Sequence, residues 1–192
     1  MLPPSFTNEN LIGLQNLFRN DSMKRFDSIL VANRGEIACR VLRSAKTLGY
    51  KTVAIYSDPD ANAPHVHLAD QAFRVGPGPV SESYLEHEAV INAALDSGAG
   101  AIHPGYGFLS ENAAFAEACN DKGLIFIGPT SEAIAIMGDK AQSKRRVLDV
   151  QVPCIPGYQG KDQTDSAFVN ASSEIEFPIM IKAAAGGGGR GM

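Results

Sequence analysis

Residues 28–56, SILVANRGEIACRVLRSAKTLGYKTVAIY, place a helical pattern between two short β-branched runs. The runs Ser28–Ala32 and Thr52–Tyr56 are typical of buried strands, and Glu36–Leu48 has the apolar spacing of an amphipathic helix. Gly49 follows this helix, at a position where glycine commonly ends helices. The stretch therefore predicts a βαβ unit with two parallel strands. The predicted core-facing stripe of its helix consists of Ile37, Val41, Ala45 and Leu48.

The alternation of strand and helix patterns continues downstream. Strands are predicted near Ala72–Val75, at Ala101–His103 and at Leu124–Ile127, with helices at about Glu86–Ser97 and at Ala113–Lys122. Strands that alternate with helices are the pattern of a parallel sheet covered by helices. The sequence therefore predicts an α/β fold whose first domain is Rossmann-like in outline.

The chain beyond residue 130 has longer polar stretches. Thr130 or Ser131 can cap a helix, polar surface helices are predicted at Asp139–Val150 and Thr164–Ile175, and Pro178–Ala183 is a predicted strand. One doubly wound domain is therefore complete by about residue 131, and these segments follow it.

Lys182–Met192, with the sequence KAAAGGGGRGM, combines a lysine with a glycine run. Glycine has no Cβ, so successive backbone N–H groups can turn toward an anion, while the lysine adds a mobile positive charge. This is not a Walker A loop, because no Gly-Lys-Ser/Thr follows it, and the first βα turn, Asn33–Glu36, has one glycine instead of the dinucleotide fingerprint. We expect phosphate contact at Gly186–Gly189; a flexible linker is the alternative.

Composition and charge exclude several kinds of partner. The 17 basic and 21 acidic residues give a formal net charge of −4, so the chain lacks the overall positive field of most nucleic-acid-binding proteins. No apolar stretch is long enough to span a bilayer. Cys39, Cys119 and Cys154 lack metal-ligand spacing and fit ordinary burial in a reducing compartment. We therefore expect no nucleic-acid partner, no membrane partner and no metal site.

Residues 1–25 lack the basic start and long apolar core of a secretory signal. Leu11, Leu14, Leu17 and Phe18 can share a helical face, but Glu9 and Asp21 are unusual in a transit peptide, which is typically poor in acidic residues. We expect residues 1–25 to be a disordered N-terminal extension, with Met23 as the natural start. The expected localisation is cytoplasmic, with the mitochondrial matrix as the alternative.

Few other residues indicate chemistry by their spacing alone. Lys140 is, on spacing, most simply a solvated helix residue. His103 and Glu111 lie at opposite ends of a loop rich in Gly, Pro and Tyr, which allows acid/base chemistry, but a histidine at a strand end is as easily structural. His65-x-His67 is weak evidence for a metal. No Ser/His/Asp or Cys/His arrangement is recognisable, so no catalytic residue is assigned.

Five motifs occur in the order found in one known family: Val31–Ala38, His103–Asn112, Phe126–Pro129, Met137–Lys140 and Lys182–Met192. From about Phe26 to Met192 the chain closely resembles the biotin carboxylase family, which includes biotin carboxylase subunits and the matching domains of acyl-CoA, pyruvate and urea carboxylases. Val152–Gly160 is most similar to biotin-containing subunits of acyl-CoA carboxylases, of the methylcrotonyl type or a related one.

The resemblance implies a domain organisation and a reaction. Residues 26–137 would form the pre-ATP-grasp domain, and residues 138–192 the beginning of an ATP-grasp fold, truncated at the glycine-rich loop. The implied reaction is the ATP-dependent carboxylation of carrier-bound biotin by bicarbonate through carboxyphosphate, with Mg²⁺ beside the phosphates. By motif position, the expected ATP-binding residues are Lys140, Lys182, Gly186, Gly187, Gly188, Gly189, Gly191 and Met192.

The resemblance also implies partners and further sites. The loop on the biotin side of the site would include His103, Tyr106, Gly107 and Glu111, with Tyr106 nearest the substrate. Arg40 and Arg43 match interface positions of dimeric bacterial members; solvation on the helix surface is the alternative. The implied partners are bicarbonate, a biotin carboxyl carrier domain, a carboxyltransferase subunit and a second copy in a homodimer.

The family's Mg²⁺-binding carboxylates and its catalytic arginine and lysine follow the glycine loop. The resemblance therefore implies neither catalytic residues nor Mg²⁺ ligands within residues 1–192, and we expect the fragment alone to be inactive. One alternative is another ATP-grasp ligase of the carbamoyl-phosphate synthetase type, which the His103–Asn112 loop disfavours. The other is a non-catalytic assembly module that uses the helix of Arg40 and Arg43. The final carboxyl acceptor is not specified by this sequence.

Overall fold

A computed structural model describes residues 26–175 and 177–182 of the 192-residue chain. The chain divides into two compact units, unit 1 ending at His103 and unit 2 beginning at Pro104. The predicted extension, residues 1–25, and the glycine-rich loop, residues 183–192, lie outside the described residues.

Unit 1 is built on a parallel sheet. Its strands lie in the order β3-β2-β1-β4, with Val31 of the first strand opposite both Ala54 and His103. The first strand is buried along its whole length, as expected for a parallel sheet covered on both faces. The strands are β1 Ser28–Val31, β2 Lys51–Ser57, β3 Gln71–Gly76 and β4 Ala101–His103.

Helices connect the strands of unit 1. They are α1 Gly35–Thr47, α2 Pro64–Leu68 and α3 His87–Ser97, with 3-10 turns at Asp58–Asp60 and Val80–Glu82. The α/β fold class and the parallel sheet predicted from the sequence are confirmed, and the predicted strands and helices of unit 1 agree with the structure to within one residue at each end.

The buried face of α1 differs from the predicted stripe. The fully buried residues are Ala38, Cys39, Leu42 and Ala45, whereas Ile37 and Val41 are half-buried and Leu48 is 67% exposed. Apolar residues occupy two neighbouring stripes of this helix, and both satisfy the helical period. The sheet packs against the stripe that contains the small side chains Ala38 and Ala45, so the prediction was wrong for Ile37, Val41 and Leu48.

Leu48 lies at the end of α1, just before the glycine that terminates the helix. Gly49 has a φ of +80°, a left-handed conformation that glycine adopts without strain. The Gly49 N–H donates to the Lys46 carbonyl and the Tyr50 N–H donates to the Ala45 carbonyl, each at 3.0 Å. These two bonds form a Schellman motif, which ends the helix and turns the chain toward β2. The predicted role of Gly49 as a helix terminator is confirmed.

Unit 2 has a small aromatic core in its first half. Phe115 and Phe126 contact edge to face, with ring centroids 6.1 Å apart, and Leu109 is buried. From residue 139 onward none of the described residues is fully buried. The elements of unit 2 are a 3-10 turn at Phe108–Glu111, α4 Ala113–Asp121, β5 Ile125–Phe126, α5 Ser131–Gly138, α6 Lys140–Asp149 and α7 Asp165–Glu174.

The predicted strand Pro178–Ala183 is wrong over its described residues. Residues 178–182 have no regular structure, and Met180 and Ile181 are 65% and 73% exposed. A strand needs a partner for its backbone N–H and C=O groups, and no strand of the described residues pairs with this segment. The β-propensity of this apolar run is therefore not enough to form a strand. Ala183 lies outside the described residues.

Candidate functional site

A hydrogen-bonded network occupies the carboxyl edge of the unit 1 sheet, the edge where open α/β sheets bind ligands. It consists of Arg34, Ser57, Asp60 and Tyr84. Oδ2 of Asp60 accepts hydrogen bonds from Arg34 Nη1 at 3.2 Å, Ser57 Oγ at 3.1 Å and Tyr84 Oη at 2.7 Å. The Tyr84 hydroxyl in turn accepts the Ser57 N–H at 3.2 Å. This Asp60 network therefore joins the ends of β1 and β2 to the segment before α3.

Electrostatics keep the Asp60 network in one protonation state at neutral pH. Burial alone would raise the pKa of Asp60, but the hydrogen bonds from Tyr84, Arg34 and Ser57 outweigh it and hold that pKa below its ordinary value. Burial, assisted by the bond to Asp60, raises the pKa of Tyr84 to about 12. The Arg34 guanidinium also lies 5.4 Å from the centroid of the Tyr84 ring. An ionised carboxylate and a protonated phenol are thus expected to persist, which suits a structural role.

His65 is completely buried beside this edge. Its Nδ1 accepts the Gly35 N–H at 3.4 Å, and its Nε2 lies 3.1 Å from the Ile55 carbonyl oxygen. Because that carbonyl can only accept, Nε2 carries the proton and the imidazole is neutral. Burial lowers the pKa of His65, in agreement with this form. His67, two residues on, is exposed, so the His65-x-His67 pair does not form a common metal site.

His103 ends β4 at the same edge of the unit 1 sheet. Its carbonyl oxygen accepts the Ala32 N–H at 2.9 Å, which fixes its backbone beside the end of β1. The side chain is half-buried, and burial lowers its pKa. A neutral imidazole is therefore expected at neutral pH. Its role on the biotin side of a site stays a prediction.

The loop that follows His103 belongs to unit 2. Gly107 combines a φ of 71° with a ψ of −165°, a region that is essentially restricted to glycine. Leu109 is buried, and the Asn112 side chain accepts the Phe115 N–H at 2.9 Å, capping α4. Tyr106 is 57% exposed and Glu111 is exposed. The second half of the loop is anchored, and Tyr106 is accessible to a ligand.

Lys140 is the first residue of α6, and its side chain is exposed. Oδ1 of the preceding Asp139 accepts the backbone N–H groups of Ala141 at 2.9 Å and Gln142 at 2.8 Å. These hydrogen bonds, that from Gln142 first, lower the pKa of Asp139. This cap was not predicted from the sequence, although Asp followed three residues later by Gln is a recognisable start signal for a helix. Asp139 therefore fixes the backbone that carries Lys140.

Lys182 is the last described residue, and its side chain is exposed. The other predicted ATP contacts, at Gly186–Gly189, Gly191 and Met192, lie outside the described residues. On α1 of unit 1, Arg40 and Arg43 are both exposed. Exposure is compatible with both the interface and the solvated alternatives, so the assignments of these residues stay predictions.

The part of the chain that the structure describes contains neither a group of metal ligands nor a membrane-spanning helix. There, no three His, Cys, Asp or Glu side chains come together as a metal site. Across the same residues, no helix has the length and apolar character needed to cross a bilayer. Cys39 and Cys119 are buried free thiols, and burial raises the pKa of Cys119 to about 12.

Removing the Asp139 cap is expected to loosen α6. Asp139→Ala should lower the local stability of this helix by about 0.5–2 kcal/mol, because two backbone N–H groups lose their acceptor. Amide hydrogen exchange in α6 should then accelerate roughly 2- to 30-fold. The matched control is Asp149→Ala at the other end of α6, where a negative charge opposes the helix dipole and its loss should not destabilise. Equal exchange rates in both variants would contradict the capping role.

Two known family models match successive parts of the chain. The family model described as "Biotin carboxylase, N-terminal domain" matches residues 25–134, and that described as "Carbamoyl-phosphate synthase L chain, ATP binding domain" matches residues 139–192. The first match covers more than half of the chain, so the chain belongs to the biotin carboxylase N-terminal domain family.

Its relatives include subunits of acyl-CoA carboxylases. The mitochondrial methylcrotonoyl-CoA carboxylase subunit alpha of Dictyostelium discoideum is 51% identical over 93% of this chain and 26% of its own length. The mitochondrial propionyl-CoA carboxylase alpha chain of Caenorhabditis briggsae is 53% identical over 88% of this chain and 23% of its own length. The chain thus spans about a quarter of the curated relatives it matches.

A solved structure extends the comparison to bound ligands. The biotin carboxylase domain of Hydrogenobacter thermophilus 2-oxoglutarate carboxylase, a dimer crystallised with MgADP, ADP and bicarbonate, is 49% identical to this chain. The similarity covers 86% of this chain and 36% of the other, with a TM-score of 0.81. The chain is therefore similar, in sequence and in fold, to part of the biotin carboxylase domain of a 2-oxoglutarate carboxylase.

Proposed function

We propose that this chain is the N-terminal part of a biotin carboxylase, which uses ATP and bicarbonate to carboxylate biotin on a carrier domain. The bicarbonate is activated as carboxyphosphate, and the carboxyl group then passes to biotin. The observation that carries the proposal is the succession of a biotin carboxylase match over residues 25–134 and an ATP-binding match over residues 139–192. The MgADP and bicarbonate of the Hydrogenobacter structure support the same substrates.

The proposed domain boundary lies after Met137. Residues 26–137 would form the pre-ATP-grasp domain, and residues 138–192 would begin the ATP-grasp domain. The limits of the two family matches support this division. Asp139 and Lys140 then stand at the start of the nucleotide-binding part, where the capped helix α6 begins.

Lys140 and Lys182 are the proposed phosphate ligands among the described residues. Phosphoryl transfer needs its negative oxygens neutralised, and exposed ammonium groups can supply part of that charge. The Asp139 cap gives Lys140 a fixed backbone, whereas Lys182 lies in a segment without regular structure. Gly186–Gly189, Gly191 and Met192 would add backbone contacts to the phosphates.

Mg²⁺ and biotin are the other proposed cofactors. Because the described residues form no cluster of metal ligands, the Mg²⁺ carboxylates are proposed to lie outside residues 26–175 and 177–182. His103, Tyr106, Gly107 and Glu111 are proposed to border the biotin side; the exposure of Tyr106 supports contact with a ligand. Biotin itself would be attached to a carrier domain.

The proposed protein partners are the biotin carboxyl carrier domain, a carboxyltransferase subunit and a second copy of the chain. The dimer in the Hydrogenobacter structure and the exposure of Arg40 and Arg43 support a homodimer interface on α1. The free, buried thiols fit a reducing compartment. The cytoplasm and the mitochondrial matrix both qualify, and the mitochondrial names of the relatives favour testing the second. Localisation of the tagged polypeptide with and without residues 1–25 distinguishes them.

The proposed function is tested by the cofactor dependence of ATP cleavage. The polypeptide that the natural gene encodes is assayed for ADP release with bicarbonate, with and without free biotin. Biotin-stimulated ADP release is expected. Release that responds to ammonia or glutamine and ignores biotin would instead support the carbamoyl-phosphate synthetase type.

The second candidate is a non-catalytic assembly module, favoured by the exposure of Arg40 and Arg43. It requires the chain to pair with a full-length biotin carboxylase. Sedimentation of the two proteins together should then show a complex that Arg40→Ala with Arg43→Ala weakens. Separate sedimentation of the unmodified proteins rules this candidate out.

A further inference from the structure

The first βα turn of unit 1 lies where dinucleotide-binding sheets hold phosphate, but here the side chain of His65 contacts it. In dinucleotide-binding sheets, the N-terminus of the helix after the first strand holds phosphate, because its N–H groups lack intrahelical acceptors. Here Arg34 stands at the N-cap of α1, and its side chain makes no capping hydrogen bond. The Gly35 N–H donates instead to Nδ1 of His65.

His65 reaches this position from a different element, α2, which packs against α1. The side chain is completely buried, whereas Gly35 itself is exposed, so the imidazole contacts the Gly35 N–H from the buried side of the turn. The second ring nitrogen is held by the Ile55 carbonyl at 3.1 Å. One imidazole therefore connects the start of α1 to β2 and has no rotational freedom without breaking a hydrogen bond.

We propose that His65 is a built-in ligand of the α1 N-terminus, which takes the place that phosphate has in dinucleotide-binding sheets and so excludes nucleotide from unit 1. The proposal is independent of the proposed carboxylase activity, since it concerns the turn Asn33–Gly35 alone. It explains why a Rossmann-like sheet needs only one glycine in this turn. It also assigns ATP contact to residues outside unit 1.

Chemical rescue is the most direct test. His65→Gly, made in the 192-residue chain, is expected to lower Tm by roughly 10 °C, because a cavity and an unsatisfied N–H replace the ring. Millimolar imidazole should restore at least about half of this loss by binding only the folded state. The matched control is His67→Gly in the same helix. Because the His67 side chain is exposed, this substitution should lower Tm only by the small amount that glycine costs in a helix, and imidazole should restore none of it. A folded His65→Gly variant that imidazole does not stabilise overturns the proposal.

The pH dependence gives a second readout. The charged groups that act on His65 are Arg34, before α1, and Asp60, after β2. Burial lowers the pKa of His65 from 6.5. The stabilisation of the fold by the neutral ring is therefore complete above pH 6.5 and is lost as the pH falls toward the pKa of the folded state. The Tm difference between the unmodified chain and His65→Gln should therefore shrink from about pH 7.5 to about pH 5. A constant difference contradicts the bridging role.

Measurements on the unmodified chain keep the proposal testable if the variants fail to fold. Nitrogen NMR of the His65 ring should show a neutral imidazole with its proton on Nε2. The amide signal of Gly35 should not move when MgATP is added. A proton on Nδ1, or a nucleotide-dependent shift of the Gly35 signal, would overturn the assignment of His65 as the ligand of this turn.

Discussion

Leu42→Ala is expected to lower the free energy of unfolding of the chain by about 2–5 kcal/mol. Leu42 lies on the face of α1 that packs against the sheet, and its side chain is fully buried. Truncation removes apolar surface from the core and leaves a cavity that the neighbouring strands fill only in part. Urea denaturation followed by circular dichroism measures the loss as a lower midpoint.

Leu48→Ala is the matched control for this prediction. Leu48 follows the last turn of α1, and 67% of its surface is exposed. The same chemical change should therefore alter the free energy of unfolding by less than about 0.5 kcal/mol. If Leu48→Ala were the more damaging change, the buried face of α1 would be the one expected from the sequence and not the one in the structure.

Lys140→Met and Lys182→Met are each expected to weaken ATP binding roughly 10- to 100-fold. This loss corresponds to about 1.4–2.8 kcal/mol, the range of one charge-assisted hydrogen bond. Methionine keeps the apolar stem of the side chain and removes its charge. Calorimetric titration of the polypeptide that the natural gene encodes with a non-hydrolysable ATP analogue measures the change in Kd.

The control for nucleotide binding is Lys122→Met. Lys122 is an exposed lysine at the end of α4, in the same unit as Lys140 and Lys182, and the proposed site does not include it. Its replacement should leave Kd unchanged. Wild-type affinity in both Lys140→Met and Lys182→Met would remove these residues from the ATP site, while biotin-stimulated ATP cleavage would still test the enzyme class separately.

Sequence periodicity was sufficient to predict strands and helices where a segment pairs or packs with close neighbours along the chain. The βαβ unit of residues 28–57 was predicted to within one residue, because its strands are bounded by a helix and a glycine with a defined terminating role. The same reasoning failed for residues 178–182, where an apolar run has no strand partner among the described residues. Strand propensity depends on a partner that local sequence does not reveal.

In the candidate sites, too, contacts between sequence neighbours could be predicted, whereas contacts between distant residues could not. Lys140 and Asp139 are adjacent in the sequence. A family motif predicts a role for Lys140, which stays a prediction, and a local capping signal was available for Asp139. Asp60 and Tyr84 are 24 residues apart, and His65 meets Gly35 across 30 residues. These contacts depend on the order of strands in the sheet, for which the sequence contains no direct signal. Packing against the sheet likewise determines which of the two apolar stripes of α1 is buried.

The absence of fully buried side chains from residue 139 onward, among the residues described, has an evolutionary consequence. Substitutions at exposed positions usually change stability little, whereas those in a close-packed interior are often rejected. Selection for folding should therefore act strongly on residues 28–57 and weakly on α6 and α7. In a library of random variants scored only for soluble expression, the second region should accumulate amino-acid changes freely. Among natural variants, which are selected for function as well as for folding, a position in this region that resists change, Lys140 above all, would reveal selection for a task other than folding.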